Sequence, residues 1–541
     1  MTTPKTMNPK CSKLAVLAMF TCVITACTVN PVTGERNLQF YGTDWETGVG
    51  DQMYAPMKQS EGGEFILDPA LSEYVQAVGE RLAQQARRKD ELDFEFGIIN
   101  SSVPNAWALP GGKIVVNRGL LAALDSEAEL AAVLGHEIVH ADAAHGARAQ
   151  SKGVLTQVGT VAGMIVVGTT VDNPTARQLG MIVPALGAQL VTQKYGRDAE
   201  READTYGMHY MAEAGYDAEG AVELQQTFLE LSEGRNQDWL SGLFASHPPS
   251  RERLENNQKT VKELAAQGYA GGEMGAARWQ EKTAYLRRVE PAYVSYDEAR
   301  EAASKEEWGQ AQKLLNAAMR IEPRESLFHA LQGDIYANQD DYAKSIKPYD
   351  EAVAANPNLF YGWLRRGQAH HALGQNKQAR EDLNRSLELL PTAQAHYLLG
   401  QLDLAQNRRV AAMEHFREAA QSNTRVGVEA EEAVLALELP QRAASYIATK
   451  VIANANGELW IQLGNQTRAS LRDIEYSYAW IDDSGQTRQG SGRLEGILEG
   501  GKWAQEPLNA RINDPADVSR RAKAEATGAK VAESAREPEG D

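Results

Sequence analysis

The spacing of apolar residues changes twice along this chain of 541 residues. From about 64 to 275, short apolar runs typical of strands, such as 94–99 and 113–117, alternate with longer segments whose apolar residues recur every three or four positions, as in helices. From 285 to 422 only the helical spacing remains. Beyond 440, apolar and polar residues alternate singly, which is typical of strands with one buried face. The pattern predicts an α+β region, a helical region and a small β domain.

The remaining segments differ in composition. Residues before 64 are rich in Gly, Asn, Pro and Thr, which predicts a tether, and the C-terminal residues are rich in Ala, Glu, Lys and Arg, which predicts a solvated or disordered tail. The step Glu290-Pro291 is typical of a domain boundary. The predicted segments are an apolar leader at 1–26, a tether at 27–63, an α+β domain at 64–275, a helical domain at 285–422, a β domain at 440–511 and a tail at 512–541.

The helical region repeats with a period of 34 residues. Prolines and glycines recur at spacings of 33 or 34 residues, at Pro323, Pro357 and Pro391 and at Gly333, Gly367 and Gly400. Neither helix of such a unit buries its apolar stripe alone, so neighbouring units must stack. The period, with small residues between the helices and proline at the end, resembles tetratricopeptide repeats. The resemblance implies an α-solenoid that offers a concave surface to a partner.

Composition excludes several classes. The chain has 55 basic and 73 acidic residues, a net charge of −18, whereas a duplex nucleic-acid binder needs a basic footprint. Nucleic acid is therefore not an expected partner. A mean hydropathy of −0.44 excludes a polytopic membrane protein. Three cysteines cannot form a disulfide scaffold.

The N-terminus has the form of a secretory signal. Three lysines precede an apolar run at 14–26, which is shorter than the ~20 residues that a membrane span needs. Residues 24–27, Ile-Thr-Ala-Cys, resemble a bacterial lipobox, in which Cys27 is lipidated and becomes the new N-terminus. Thr28 after the cysteine favours the outer membrane over the inner. An ordinary signal peptide or an N-terminal anchor helix is the alternative.

The clearest chemistry lies at 136–140, His-Glu-Ile-Val-His. Ser126 and Glu129 form a capping-box pattern that predicts the start of its helix. Histidines at i and i+4 lie on one helix face, so His136 and His140 can bind one metal ion, and Glu137 is placed to accept a proton from water. Two unrelated histidines on a helix are the bland alternative. A structural zinc is another, but it would fill all four positions and leave Glu137 without a task.

A third ligand must come from elsewhere. Gly146 and Ala143 stand where a metzincin has His and Gly, which excludes that class. His145 lies a turn further along the helix, off the face of the two histidines, so we expect it to pack rather than to bind metal. Glu200 and Asp204 share a helix face, where Glu200 can bind metal and Asp204 can accept an N–H from a ligating histidine. By itself, this is one acidic helix among several.

Four motifs in order resemble one enzyme family. They are HEIVH, the Glu-x-x-Ala-Asp motif about 60 residues later, the segment 104–114 (Pro-Asn-Ala-Trp-Ala-Leu-Pro-Gly-Gly-Lys-Ile) and the segment 246–251 (Ser-His-Pro-Pro-Ser-Arg). Over roughly 64–260 they resemble the membrane-associated zinc metallopeptidases related to HtpX and the CAAX prenyl protease. The repeats that follow resemble those of periplasmic members. The predicted lipid and the β domain have no counterpart there.

The resemblance implies a mainly helical gluzincin-type metallopeptidase domain with a small edge sheet. One Zn²⁺ per chain would bind His136, His140 and Glu200, with Glu137 as general base. The apolar run 154–168 is expected to be a buried or plug-forming helix pair, with contact to membrane or unfolded substrate as the alternative. An edge strand would pair with extended substrate, or would be an ordinary edge strand. Its residues are Asn105, Ala106, Trp107, Ala108 and Leu109.

His247 has two interpretations. In related enzymes the corresponding histidine reaches the zinc as a fourth ligand and holds the enzyme inactive. Alternatively, it is a loop histidine before two prolines that shape the cleft wall.

The expected function is a zinc endopeptidase of the periplasm, anchored to the outer membrane by lipid on Cys27. Its substrates would be unfolded or stalled envelope proteins, and its repeats would recruit a client or the outer-membrane assembly machinery. The alternative is a chaperone or adaptor of outer-membrane protein assembly whose protease is mostly latched.

Overall fold

The computed structural model describes residues 27–160, 195–234 and 247–532. They form two compact units, one holding the described residues up to Leu390 and the other those from Pro391 onward. The predicted signal peptide at 1–26, much of the apolar run 154–168 and the end of the predicted tail lie outside the described residues.

The first unit contains a small sheet and many helices. Its elements are β1 (Cys27–Val29), β2 (Arg36–Leu38), α1 (Thr43–Ser60), α2 (Pro69–Ala83), β3 (Glu95–Ile99), β4 (Ala106–Leu109), β5 (Lys113–Asn117), α3 (Arg118–Ala123), α4 (Glu127–Asp142), α5 (His145–Thr160), α6 (Arg197–Glu213), α7 (Glu219–Gly234), α8 (Arg251–Ala266), α9 (Ala276–Lys282), α10 (Ala284–Ser304), α11 (Trp308–Ile321), α12 (Ser326–Ala337), α13 (Tyr342–Ala355), α14 (Phe360–Ala372) and α15 (Asn376–Leu389). This confirms the helical peptidase-like region followed by helical repeats.

The sheet of this unit has the order β3-β5-β4. β3 runs parallel to β5, and β4 runs antiparallel to it, so β4 lies at the sheet edge. Next to β4 lies α4, all of whose residues are buried. The predicted capping box is present, because the Ser126 hydroxyl accepts from the Glu129 N–H and the Glu129 carboxylate accepts from the Ser126 N–H.

α4 crosses α6 at two glycines. A Cβ atom on Gly207 would lie 3.0 Å from the backbone of Gly135 and of His136. Only glycine allows so close an approach of two helix backbones. The crossing brings the start of α6, with its acidic residues, against the His-Glu-Ile-Val-His segment of α4.

The predicted tether at 27–63 is wrong for its greater part. α1 spans Thr43–Ser60, and Val49, Met53 and Met57 on its buried face pack against the sheet. Further upstream, Asn30 and Val32 are buried as well. Val49, Met53 and Met57 recur every four positions, which is a helical period. The Gly, Asn and Thr content of the segment favoured the prediction of a tether instead.

The predicted boundary at Glu290-Pro291 is also wrong, because α10 continues through Pro291. The first repeats share a core with the α+β region. The buried Arg118 guanidinium lies 3.5 Å from the Tyr293 ring centroid and 2.6 Å from a Glu290 oxygen. Asn100 donates to Glu325 at 3.0 Å. The first repeats therefore pack directly on the α+β region.

The described part of the second unit joins three long helices and one short helix to two antiparallel sheets of order β10-β7-β6 and β11-β8-β9. Its elements are α16 (Ala393–Ala405), α17 (Arg409–Ala420), α18 (Arg425–Arg442), β6 (Ile447–Ala453), β7 (Glu458–Asn465), β8 (Leu471–Ile481), β9 (Thr487–Leu498), β10 (Trp503–Arg511), α19 (Val518–Arg521) and β11 (Ala522–Val531). The predicted β domain is present, and its core includes Leu435 and Leu439 of α18.

The predicted tail at 512–541 is wrong for β11, which pairs with β8. Ala526 and Ala529 of this strand are buried in the core, and Ile512 is buried too. Alanine, lysine and glutamate favour helices by intrinsic propensity, but packing against a sheet overrides propensity. Within the part of the chain that the structure describes, every helix is too short or too polar to cross a membrane.

Candidate metal centre

Four buried side chains direct ligand atoms at one point: His136 and His140 on α4, Glu200 on α6, and His247 ahead of α8. The Nε2 atoms of His136 and His140 are 3.0 Å apart. Nδ1 of His247 lies 3.2 Å from Nε2 of His136 and 3.0 Å from Oε1 of Glu200. The Glu200 oxygens lie 3.5 Å from Nε2 of His140 and 3.6 Å from that of His136.

Five of the six separations fit a tetrahedral zinc ion, and the sixth, between His140 and His247, is within 4.8 Å. Ligands at about 2.0–2.1 Å from zinc lie roughly 3.3–3.4 Å from one another in a tetrahedron. The observed distances of 3.0–3.6 Å bracket that value. Three imidazoles and a carboxylate are also the donor types that zinc prefers. The site can therefore hold a divalent metal ion.

The two α4 imidazoles are oriented by contacts at their other nitrogen atoms. Nδ1 of His136 lies 2.9 Å from Oδ1 of Asp204. The Arg253 guanidinium donates to both oxygens of Asp204, at 2.7 and 2.8 Å. Nδ1 of His140 lies 2.8 Å from Nδ1 of His145. Each contact leaves Nε2 directed at the metal position.

Charge interactions favour the protonation states that a metal site needs. Burial lowers the pKa of His140 well below its usual value, which keeps the imidazole neutral. Burial alone would raise the pKa of Glu200, but His247 and His140 outweigh it and lower that pKa below its usual range. Asp204 is affected in the same way, because Arg253 and His136 outweigh the effect of burial on its pKa. Both carboxylates are therefore ionised.

Glu137 lies beside this group. It is buried, and its Oε1 is 3.7 Å from Nε2 of His247. A cleft with about 480 Å³ of empty space opens here, and Ala106 of β4, Glu137 and His247 all line it. The structure thus places the predicted general base, the edge strand and the histidine of unresolved role around one space.

The sequence prediction located most of this group, and it missed Arg253 and the contact between His145 and His140. His145 is buried and lies outside the four-residue cluster, as expected of a packing residue, and it also contacts the His140 imidazole. α4 ends at Asp142, and Ala144 has a left-handed φ of 54°, which breaks the helix and turns His145 back toward His140. Arg253 was missed entirely. Its signal was its place in the first turn of a helix capped by Ser250, directly after the His-Pro-Pro segment.

Comparisons with known proteins agree with this geometry. The model of Peptidase family M48 matches residues 69–261, and a Tetratricopeptide repeat model matches 296–359 and 364–425.

Three relatives are similar over different lengths. The beta-barrel assembly-enhancing protease of Escherichia coli is 26% identical over 412 residues, which cover 66% of this chain and 82% of that protein. Metalloprotease YcaL of Escherichia coli is 31% identical over 182 residues, or 33% of this chain and 68% of the relative. Mitochondrial metalloendopeptidase OMA1 of Schizosaccharomyces pombe is 29% identical over 238 residues, or 43% and 66%.

Proposed function

The chain belongs to peptidase family M48, and from this premise we propose that it is a zinc-dependent endopeptidase of the bacterial cell envelope that cleaves unfolded or stalled envelope proteins. The observation that carries the proposal is the convergence of His136, His140 and Glu200 beside Glu137. A relative named for enhancing beta-barrel assembly supports the envelope role.

Each residue of the group has a separate task. His136, His140 and Glu200 would hold one zinc ion per chain, which when bound supplies Lewis-acid chemistry that acidifies water and polarises a carbonyl. Glu137 accepts the proton of the attacking water and returns it to the leaving amine. Asp204, fixed by Arg253, holds the ring of His136 in the ligating tautomer.

The edge position of β4 supports main-chain recognition of substrate. β4 pairs with β5 on one side, and Ala106 at its start lines the cleft that holds Glu137. An extended segment that adds to such an edge is bound through its backbone, so its sequence matters little. Unfolded chains are the substrate class that offers such segments. Residues Asn105 to Leu109 are thus the proposed template.

His247 would act as a latch. Its Nδ1 lies 3.2 Å from Nε2 of His136 and 3.0 Å from Glu200, so it could take the fourth ligand position, and its Nε2 is 3.7 Å from Glu137. An imidazole in that position would compete with water for a bound metal. Displacement of His247 would then be needed before hydrolysis. His247→Ala should raise proteolysis, whereas lost activity would indicate that His247 assists the reaction.

The latch supports the second candidate function, a chaperone or adaptor of outer-membrane protein assembly that rarely cuts. A strain that lacks this protein would separate the two, since Glu137→Gln removes proteolysis alone. Rescue of the envelope defect by Glu137→Gln as complete as by wild type would favour the adaptor. Partner binding would then fall to the repeats, which generally offer a concave surface for protein contacts.

The proposed location is the periplasm, at the outer membrane, with lipid on Cys27. The lipobox-like residues 24–27 support this, together with a relative named for beta-barrel assembly. Mass spectrometry of the protein from membranes would test it, since lipidation adds diacylglyceryl mass to a chain that begins at Cys27. An unmodified N-terminus would remove the anchor from the proposal.

Zinc content and casein hydrolysis test the enzyme directly. The full chain, solubilised in detergent, is compared with Glu137→Gln and His247→Ala. We expect about one zinc ion per chain in each protein, activity reduced about 10²–10⁴-fold by Glu137→Gln, and increased by His247→Ala. Bound zinc without hydrolysis in wild type or His247→Ala would contradict the peptidase.

A further inference from the structure

The two α4 ligands are supported in different ways. His136 meets a carboxylate directly, because Asp204 lies 2.9 Å from its Nδ1. His140 meets another imidazole, because Nδ1 of His145 lies 2.8 Å from its own Nδ1. His145 is buried, and its ring stands at 71° to that of His140 with centroids 4.8 Å apart. The nitrogens, rather than the ring faces, therefore meet.

Beyond His145 the chain of contacts reaches a carboxylate after all. Nε2 of His145 lies 3.3 Å from Oε1 of Glu202. Glu202 is held in turn, since the Asn30 side-chain amide donates to it at 2.6 Å and Arg148 approaches it at 3.5 Å. Asn30 itself is buried, and its Oδ1 accepts from the N–H of Val32 at 2.9 Å. The path runs His140, His145, Glu202, Asn30.

The protons can be arranged along this path in one consistent way. If Nε2 of His140 binds a metal, the proton of the neutral ring is on Nδ1. This N–H then donates a hydrogen bond to Nδ1 of His145. Neutral His145 then carries its proton on Nε2, which points toward Glu202. The His140–His145 hydrogen bond then forms with both imidazoles neutral. The remaining N–H of His145 lies 3.3 Å from the Glu202 carboxylate, close enough for electrostatic attraction but outside hydrogen-bond geometry.

We propose that His145 and Glu202 are positioning residues that hold the His140 imidazole in its ligating tautomer, and that Asn30 ties this support to the N-terminal segment. The proposal rests on the zinc site of the proposed function. It gives the Glu-x-x-Ala-Asp helix a double role, because Glu200 and Asp204 serve the metal and His136, whereas Glu202 serves His140 through His145.

Zinc affinity of the full chain, measured by competition with a chromophoric chelator, tests the proposal without reference to activity. His145→Leu removes the acceptor, and we expect a 10–100-fold weaker affinity, the usual loss for such partners. His145→Asn keeps an acceptor oxygen near the Nδ1 position and should recover much of that loss. Glu202→Gln and Asn30→Asp should show smaller losses, the latter because a second carboxylate repels Glu202.

The matched control is His209→Leu on the same helix as Glu202, where the ring packs near Tyr206. Its zinc affinity should equal that of wild type. Cobalt-substituted protein adds a spectroscopic readout, since the absorption bands of the His145→Leu protein should shift and those of the control should not.

Unchanged zinc affinity and cobalt spectrum in His145→Leu would overturn the proposal. If that variant does not fold, Glu202→Gln decides, and an affinity equal to that of wild type overturns it. If the wild-type chain binds no zinc, the proposed function itself is wrong. That result is distinct from failure of the positioning role of His145 and Glu202.

Discussion

Helix α4 of the catalytic region and helix α15 of the repeats are buried to very different degrees. Every residue of α4 is buried, including its charged ones. α15 buries only Ala379, Asp382, Leu383 and Ser386. A helix with one buried stripe needs mainly apolar partners, whereas a helix buried all round needs a polar partner for each charge it carries.

Asp142 at the end of α4 illustrates this requirement. It is fully buried and accepts from the backbone N–H groups of Arg87 and Arg88 at 2.8 and 2.7 Å and from the Tyr210 hydroxyl at 2.6 Å. The repeats instead place small residues where helices meet, as at Gly333 against Tyr349. Both regions also hold buried carboxylates in hydrogen bonds, since Asp382 of α15 accepts from Arg366 at 2.7 and 2.8 Å. The regions therefore differ in how many charges are buried along one helix, and the repeats add close packing of small residues at helix contacts.

The largest loss of stability is expected when Asp142 is replaced. Asp142→Ala leaves two buried donors and one partly buried donor without their acceptor, so we expect a loss of about 3 kcal/mol in the free energy of unfolding, at roughly 1–3 kcal/mol per buried unsatisfied group. Urea denaturation measures it. The control is Asp341→Ala at the exposed start of α13, which should cost much less. Equal losses would contradict the comparison.

Glycines at helix crossings should separate stability from metal binding. A Cβ atom on Gly333 would lie 2.4 Å from the buried Tyr349 ring, so Gly333→Ala should cost about 1–3 kcal/mol and leave zinc affinity unchanged. Gly207→Ala should weaken zinc binding as well, because α6 carries Glu200 and Asp204.

Gly309→Ala is the control for both variants. A Cβ atom at Gly309 meets nothing within 4 Å, so this change should be neutral or slightly stabilising. Thermal unfolding and chelator competition give the two readouts. Zinc affinity lowered by Gly333→Ala but not by Gly207→Ala would reverse the assignment.

The smallest effect concerns pH. Burial raises the pKa of half-buried Glu61 to about 7, although its hydrogen bond from Trp107 of β4 opposes the shift. The unfolded state loses this proton near pH 4.5 and the folded state near pH 7, so stability falls as pH rises between the two values. Glu61→Gln should remove about 2 kcal/mol of that fall. The measurement is the free energy of unfolding of wild type and Glu61→Gln from pH 5 to 8. If the two curves are parallel, the raised pKa of Glu61 is excluded.

The sequence predicted the repeats and the catalytic region to different extents. The 34-residue period predicted the repeat helices, because each helix buries the same stripe. In the catalytic region, His136, Glu137 and His140 could be placed from one motif, since helix geometry alone sets their common face. Glu200 and Asp204 needed a family resemblance, because no local rule joins positions about 60 residues apart.

The errors have two causes. Placement of His145 assumed a continuous helix, which the left-handed Ala144 interrupts. The 27–63 and 512–541 segments were judged by composition, yet Val49, Met53 and Met57 in one and the alternating alanines of β11 in the other carried a period. Composition describes what a segment contains, whereas burial depends on the order of its residues.

The buried position of Asn30 has a consequence for reach. Three peptide steps separate Asn30 from Cys27, and at most about 3.6 Å per residue they span roughly 11 Å. If the proposed lipid is present on Cys27, the catalytic region would therefore lie close to the bilayer surface, without a long flexible linker. Such an enzyme would reach only substrates close to the membrane surface.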